Sequence, residues 1–224
     1  MELLDNEKIK KVFHSFFSNL YKKQEISLEK INDYLNRQDL PKLTQSQKAI
    51  LNDAITTFEI VEAIKKTKLG KAPGPDCLSA IYYRCFEDQI LLPFKTLMNS
   101  ILTGSLIPDS WKEANIALVP KEGQDPCLVK NYRPISLLNN DNKIFASVLA
   151  ERMKKVLQEI IHHDQCGVLP KRQLKDNVRV VLDVTEYLQY HNECQAALIF
   201  LDVEKAFDNL NWTFMFKVLE IMDF

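Results

Sequence analysis

Apolar positions recur at helical spacing through the first third of the chain. Ile9, Val12, Phe13, Phe16, Phe17 and Leu20 return every three or four residues and predict an amphipathic helix. Leu43-Thr44-Gln45-Ser46-Gln47 opens a second helix. Thr56 with Glu59 three residues on is a capping box, and Ile60, Ala63 and Ile64 form the buried stripe of the helix behind it. Gly70-Lys71-Ala72-Pro73-Gly74-Pro75-Asp76 then breaks the period. Such a density of Pro and Gly fits neither a helix nor a central strand, so the segment reads as a surface loop. In the functional alternative, Lys68 and Lys71 face an anion.

Helical spacing resumes over 79–103. Asn115 to Pro120 is a short strand pattern that Pro120 stops. A polar loop runs to Lys130, and 131–138 returns extended, because Pro134 biases Arg133 away from the helix. The pair predicts a hairpin-like finger carrying Lys121 and Arg133. Two cations facing one space suit a triphosphate or a nucleic-acid strand. Taken alone, two solvated surface charges are the favoured reading.

From Asp141 to about His162 the period of 3.6 is sustained by Ile144, Phe145, Val148, Leu149, Met153, Val156, Leu157, Ile160 and Ile161. Arg152, Lys154 and Lys155 read as its polar face. His162 and His163 read as closing it, where positive charge suits the helix dipole. Lys171, Arg172, Lys175 and Arg179 form the densest basic stretch and lead into a helix from about Asp176 to Tyr190. Ala196 to Leu201 is an unbroken apolar run, the pattern of a strand buried on both faces, and it ends on Asp202. A buried carboxylate there would need a cation or donors, and strand ends are where α/β proteins place ligands. A helix cap or turn is the plainer role for such an Asp. Trp212, Phe214, Val218, Leu219 and Met222 mark a last helix.

Composition changes this picture little. Hydrophobic residues make up 46% of the 224 and charged residues 26%, which excludes wholesale disorder. With only 5 Gly, long helices are favoured over repeated tight turns. A net charge of −1 lends nothing to nucleic-acid binding, although a basic groove is compatible with an acidic exterior. The five cysteines (Cys77, Cys85, Cys127, Cys166, Cys194) are scattered without a Cys-x-x-Cys pair. They read as free thiols of a reducing compartment rather than a zinc site, despite the spacing of His163 and Cys166. No signal-peptide pattern or membrane-length apolar run occurs, so the expectation is a soluble intracellular chain, nuclear or cytoplasmic.

Several segments together are more informative than any one. Phe200-Leu201-Asp202-Val203-Glu204-Lys205-Ala206-Phe207-Asp208 resembles the first catalytic block of the reverse transcriptases of LINE-type (non-LTR) retrotransposons. The loop 70–76, Trp111 through Lys121, Asn131 to Leu137, Asp164-Gln165-Cys166-Gly167 and Asp176-Asn177 resemble other blocks of that family, in the family's order. The resemblance covers nearly the whole chain and is weakest over the first 40 residues.

The resemblance implies a helix-rich α/β (α+β) chain comprising the fingers and the first palm strand and helix of a right-hand polymerase, truncated. It divides the chain into a helical N-terminal extension (1–66), fingers (67–190) and the start of the palm (191–224). In such enzymes two magnesium ions catalyse nucleotidyl transfer to a DNA primer on an RNA template. By similarity, Asp202 binds both ions and the Val203 carbonyl one of them. Lys121 and Arg133 grip the deoxynucleotide triphosphate, and Arg133 can also lie over the base. Phe207 excludes a 2′-hydroxyl by size. Gln165, Lys171 and Arg172 lie along template or primer. No membrane partner is implied, and oligomeric state is left open.

Cys77 and Val168 depart from the family's usual Gly and Phe, and Lys171 from its usual Gly before Arg172. The aromatic-x-Asp-Asp block that completes the family's metal site is absent from this sequence, so the chain by itself is not expected to polymerise. A non-catalytic nucleic-acid- or protein-binding module, or a decayed copy of such an element, is the alternative.

Overall fold

The computed structural model describes residues 5–22, 26–167, 169–191, 193, 195–202 and 210–224. The chain is helix-rich with one small antiparallel sheet: α1 (Asn6–Leu20), α2 (Leu28–Leu35), α3 (Gln45–Asn52), α4 (Thr57–Lys66), α5 (Ala80–Cys85), α6 (Glu87–Leu102), β1 (Asn115–Pro120), β2 (Tyr132–Leu137), α7 (Asn140–Ile160), α8 (Leu174–Tyr190) and α9 (Trp212–Ile221). Two compact units form, each discontinuous in sequence. One contains Met1–Phe17 and Ser46–Met153, the other Ser18–Gln45 and Lys154–Phe224.

The first unit is built around the stripe of α4. Thr56 and Glu59 form the expected capping box, with Glu59 N–H on Thr56 Oγ1 and Thr56 N–H on the Glu59 carboxylate. This satisfies two N-terminal donors and is worth about 1 kcal/mol. Ile60, Ala63 and Ile64 pack with Ile55, Met98 and Trp111 and with Ile144, Phe145 and Val148 of α7. Each fully buried aliphatic side chain contributes roughly 1.5–3 kcal/mol. Asn99 of α6 fixes the turn before α4 by exchanging hydrogen bonds with both backbone groups of Ile55, at 2.7 and 3.0 Å.

Arg152 corrects the polar-face expectation. Its side chain is only 4% exposed. The guanidinium donates to both carboxylate oxygens of Glu59, at 2.6 and 2.9 Å, and to the carbonyls of Leu51, Asp53 and Ala54. The signal was present in the spacing: Ile144, Val148, Arg152 and Val156 recur every fourth residue and all four are buried. Arg152 occupies the buried stripe because a bidentate acid and three carbonyls around the end of α3 meet it there.

In the second unit, Ser27 caps α2 and Asn211 caps α9 through Phe214 N–H at 2.9 Å. Tyr34 packs on Phe214, with ring centroids 6.0 Å apart, and Leu43 N–H donates to the Met222 carbonyl. Leu28, Ile31 and Leu35 of α2 keep helical spacing, and Ile31 and Leu35 are its buried side chains. α8 begins two residues earlier than its pattern suggested, with the Asp176 carboxylate accepting from Gln173 N–H at 3.2 Å.

The expected strand at 196–202 does not form. Those residues are irregular, and Leu198, Ile199, Phe200 and Leu201 are 53–89% exposed. A strand exists only by pairing its backbone groups with a neighbour. Among the described residues the sole pairing is β1 with β2. The apolar run carries strand propensity without a partner among the described residues to satisfy it.

Candidate functional site

The hairpin belongs to the first unit. β1 and β2 pair antiparallel, with Val119 opposite Arg133 and Pro120 opposite Tyr132. Lys121 follows directly, its N–H donating to the Asn131 carbonyl at 2.8 Å. Lys121 stands two residues past Val119, the register partner of Arg133, so both cations belong to the same end of the hairpin. Buried Asn131 donates to the Asp125 carbonyl, and the Tyr132 hydroxyl donates to the Pro126 carbonyl, closing the loop between the strands. Phe13 of α1 meets the Tyr132 ring edge-on at 4.9 Å. Arg133 is exposed and Lys121 half-buried, and neither forms an ion pair with another described residue.

The loop at 70–76 is more tightly held than a plain surface loop. Lys68 and Lys71 are exposed, but Gly74 is buried. A Cβ at Gly74 would overlap the Asn139 amide oxygen and backbone nitrogen and lie 2.5 Å from the Leu138 carbonyl carbon. Asn139 Oδ1 accepts from Asp76 N–H and its amide donates to the Ser110 carbonyl. Asn140 donates to the Leu78 carbonyl and Asn142 to that of Trp111. Three asparagines at the start of α7 thus tie down the two segments before the hairpin.

Cys77 and Lys171, the two described departures from the family's glycines, have φ of +60° and +64°. Both positions lie in the left-handed region that glycine enters without steric cost.

In the second unit, Gln165 and Lys171 are exposed. Arg172 is not a free surface cation. Its two terminal nitrogens donate to the carbonyls of Gln158, Ile161, His162 and Gln165, at 2.5–3.0 Å. The cation at the end of α7 is therefore Arg172 rather than His162 or His163. Those two imidazoles are exposed and pair with Asp164, at 3.4 and 3.1 Å. His162, His163 and Asp164 have ligand atoms within 4.8 Å of one another; Cys166 is not among them. Its buried thiol donates to Asn177 Oδ1 at 3.0 Å. Arg179 pairs with Asp183 along α8.

Asp202 is exposed and makes no hydrogen bond or ion pair with another described residue. It therefore has no buried-charge cost that a counter-ion must relieve. Val203 and Phe207 lie outside the described residues. A magnesium ion takes about six oxygen ligands in near-octahedral geometry. Asp202 offers one carboxylate and belongs to no group of three potential ligands among the described residues. These residues alone do not make a two-metal site. Among the described residues no helix is long and apolar enough to cross a membrane.

A helix-rich α/β chain bearing a cationic hairpin end and an exposed Asp-terminated apolar segment fits part of a polymerase domain. Residues 119–224 match the reverse transcriptase (RNA-dependent DNA polymerase) family. The uncharacterized 149 kDa protein of transposon TX1 from Xenopus laevis is 32% identical over 222 residues, which is 99% of this chain and 17% of that protein. The RNA-directed DNA polymerase from mobile element jockey of Drosophila melanogaster is 33% identical over 163 residues, 70% of this chain and 17% of that protein. The probable RNA-directed DNA polymerase from transposon BS of the same fly is 30% identical over 159 residues, 70% of this chain and 17% of that protein. The chain belongs to the reverse transcriptases of non-LTR retrotransposons. It spans about a sixth of the length of the curated relatives it matches.

Proposed function

We propose that this chain supplies the fingers (67–190) and the beginning of the palm (191–224) of a right-hand reverse transcriptase that extends a DNA primer on an RNA template. The observation that carries the reading is the cationic hairpin end. Arg133 lies in register with Val119, and Lys121 stands two residues beyond, within the segment that matches the family. Lys121 would hold the triphosphate of the incoming deoxynucleotide as a point charge. Arg133, with its planar fork, would bind phosphate oxygens and cover the base. Phe207 would exclude a 2′-hydroxyl. Gln165 and Lys171 would run along the template or primer backbone, a contact that is salt-sensitive and tolerant of sequence.

Divalent metal would neutralise the charge on the phosphates during transfer. Asp202, with the Val203 carbonyl, would contribute hard oxygen ligands to magnesium. The remaining ligands would come from other parts of the complete protein. The exposed run 196–201 would become a palm strand when it gains a pairing neighbour there.

Primer extension by the complete enzyme tests the reading. Asp202→Ala should abolish extension. Arg133→Ala should raise KM for deoxynucleotide at least tenfold, the loss expected for a charge-assisted bidentate contact of about 1.5–3 kcal/mol. This chain alone should not extend a primer. Extension that survives Asp202→Ala would refute the assignment.

A further inference from the structure

The segment joining α7 to α8 carries two adjacent cations in unlike settings. Lys171 is exposed and has a left-handed backbone. Arg172 turns back onto the end of α7, and its four terminal N–H groups reach four carbonyls: Gln158 (3.0 Å), Ile161 (2.8 Å), His162 (2.5 Å) and Gln165 (3.0 Å). A helix leaves its last carbonyls without intrahelical partners and carries partial negative charge at that end. Arg172 answers both needs. With both terminal nitrogens engaged, the fork cannot grip a phosphate unless it releases the carbonyls.

We infer that Arg172 is a positioning residue, which clamps the α7–α8 connection so that Gln165 is presented to nucleic acid. The Gln165 carbonyl is itself one of the four acceptors, so the clamp holds the backbone from which the Gln165 side chain projects. The same connection is tied again by the Cys166 thiol on Asn177 and by Asp176 on Gln173 N–H. The role in nucleic-acid binding rests on the function proposed above; the clamp itself rests on geometry alone.

Amide hydrogen exchange on the full 224-residue chain tests the clamp. Arg172→Ala should accelerate exchange across 161–167 by about tenfold or more, while the amides of α4 and α6 keep wild-type rates. Arg172→Lys keeps the charge but not the fork and should behave like Arg172→Ala. If Arg172→Ala does not fold, Arg172→Lys carries the experiment. Unchanged exchange at 161–167 overturns the inference.

Binding of a labelled single-stranded RNA then tests the positioning. Arg172→Ala should weaken binding about tenfold with an unchanged salt slope, whereas Lys171→Ala should lower the slope by about one. In a double-mutant cycle, Arg172→Ala should cost little more once Gln165→Ala is in place. A slope reduced in Arg172→Ala as in Lys171→Ala would make Arg172 a phosphate contact and overturn the inference, as would additive losses. Wild-type chain that binds no RNA at low salt would count against the proposed function and the positioning role, and the exchange result would still decide the clamp.

Discussion

Replacing Arg152 with Ala should be the most damaging single change in the first unit. The substitution strands Glu59, whose side chain is only 23% exposed, and removes the donors to the carbonyls of Leu51, Asp53 and Ala54. Breaking a buried pair by deleting one partner costs about 3–5 kcal/mol, because the remaining charge is left uncompensated. The three carbonyls add to this only as far as water cannot reach them, so we expect roughly 4 kcal/mol in all. With a urea m-value of about 2 kcal/mol/M, the midpoint should fall by roughly 2 M. The chain has two tryptophans. In a Trp212→Phe background, Trp111 alone reports on the unit that contains Arg152. Adding Glu59→Gln to Arg152→Ala should recover part of the loss, since the orphaned charge goes with it. A cost below about 1 kcal/mol for Arg152→Ala, or no recovery in the double variant, would refute the account of Arg152 as the partner that makes burial of Glu59 tolerable.

The same pair makes an acid-range prediction. Hydrogen bonds from Arg152 hold the Glu59 carboxyl at about 2, below its ordinary 4.5. A depressed acid stabilises the fold above its unfolded value, so this contribution should be complete above about pH 4.5 and vanish as pH falls towards 2; discounted for partial exposure it is about 2 kcal/mol. Urea midpoints of wild type and Glu59→Gln should therefore converge through that window, and a constant gap would contradict the pairing. Lys171→Gly and Cys77→Gly should each stabilise by about 0.5–1 kcal/mol, because the left-handed backbone costs a side chain about 1–2 kcal/mol and glycine's extra unfolded freedom returns part of it; thermal melts that shift downwards would refute this. Gly74→Ala should destabilise by about 1–3 kcal/mol through overlap with Asn139, and unchanged melting would mean that the loop 70–76 yields easily. Asp202→Ala should leave stability of this chain within about 0.5 kcal/mol, since its side chain is exposed; a large loss would show that the carboxylate has a structural partner.

Local rules made much of the first unit legible from the sequence. The capping box at Thr56, the hairpin with Pro120 at its turn end and the long apolar period of α7 all depend on residues near one another in the chain. Their stereochemistry does not wait for the rest of the fold. The order of the sequence blocks pointed to the reverse transcriptases, and the departures at Cys77 and Lys171 marked positions whose left-handed backbone glycine would enter more easily. Lys121 and Arg133 could be assigned to one hairpin, because register follows from the two strands and the loop between them.

Tertiary structure decided what depends on distant partners. Arg152 is buried because Glu59, 93 residues away in sequence, meets it there. Arg172 looks in sequence like its neighbour Lys171, yet the carbonyls at the end of α7 claim it. The run before Asp202 has the composition of a buried strand and pairs with no strand among the described residues, because strand propensity is realised only through a neighbour's backbone. Sequence by itself thus determined the family, the local caps and turns, and which side chains could do chemistry. Local spacing could place Arg152 on a buried stripe, but which charges hold the fold and which stay free for a substrate followed from the hydrogen-bond partners that the tertiary structure brings to them.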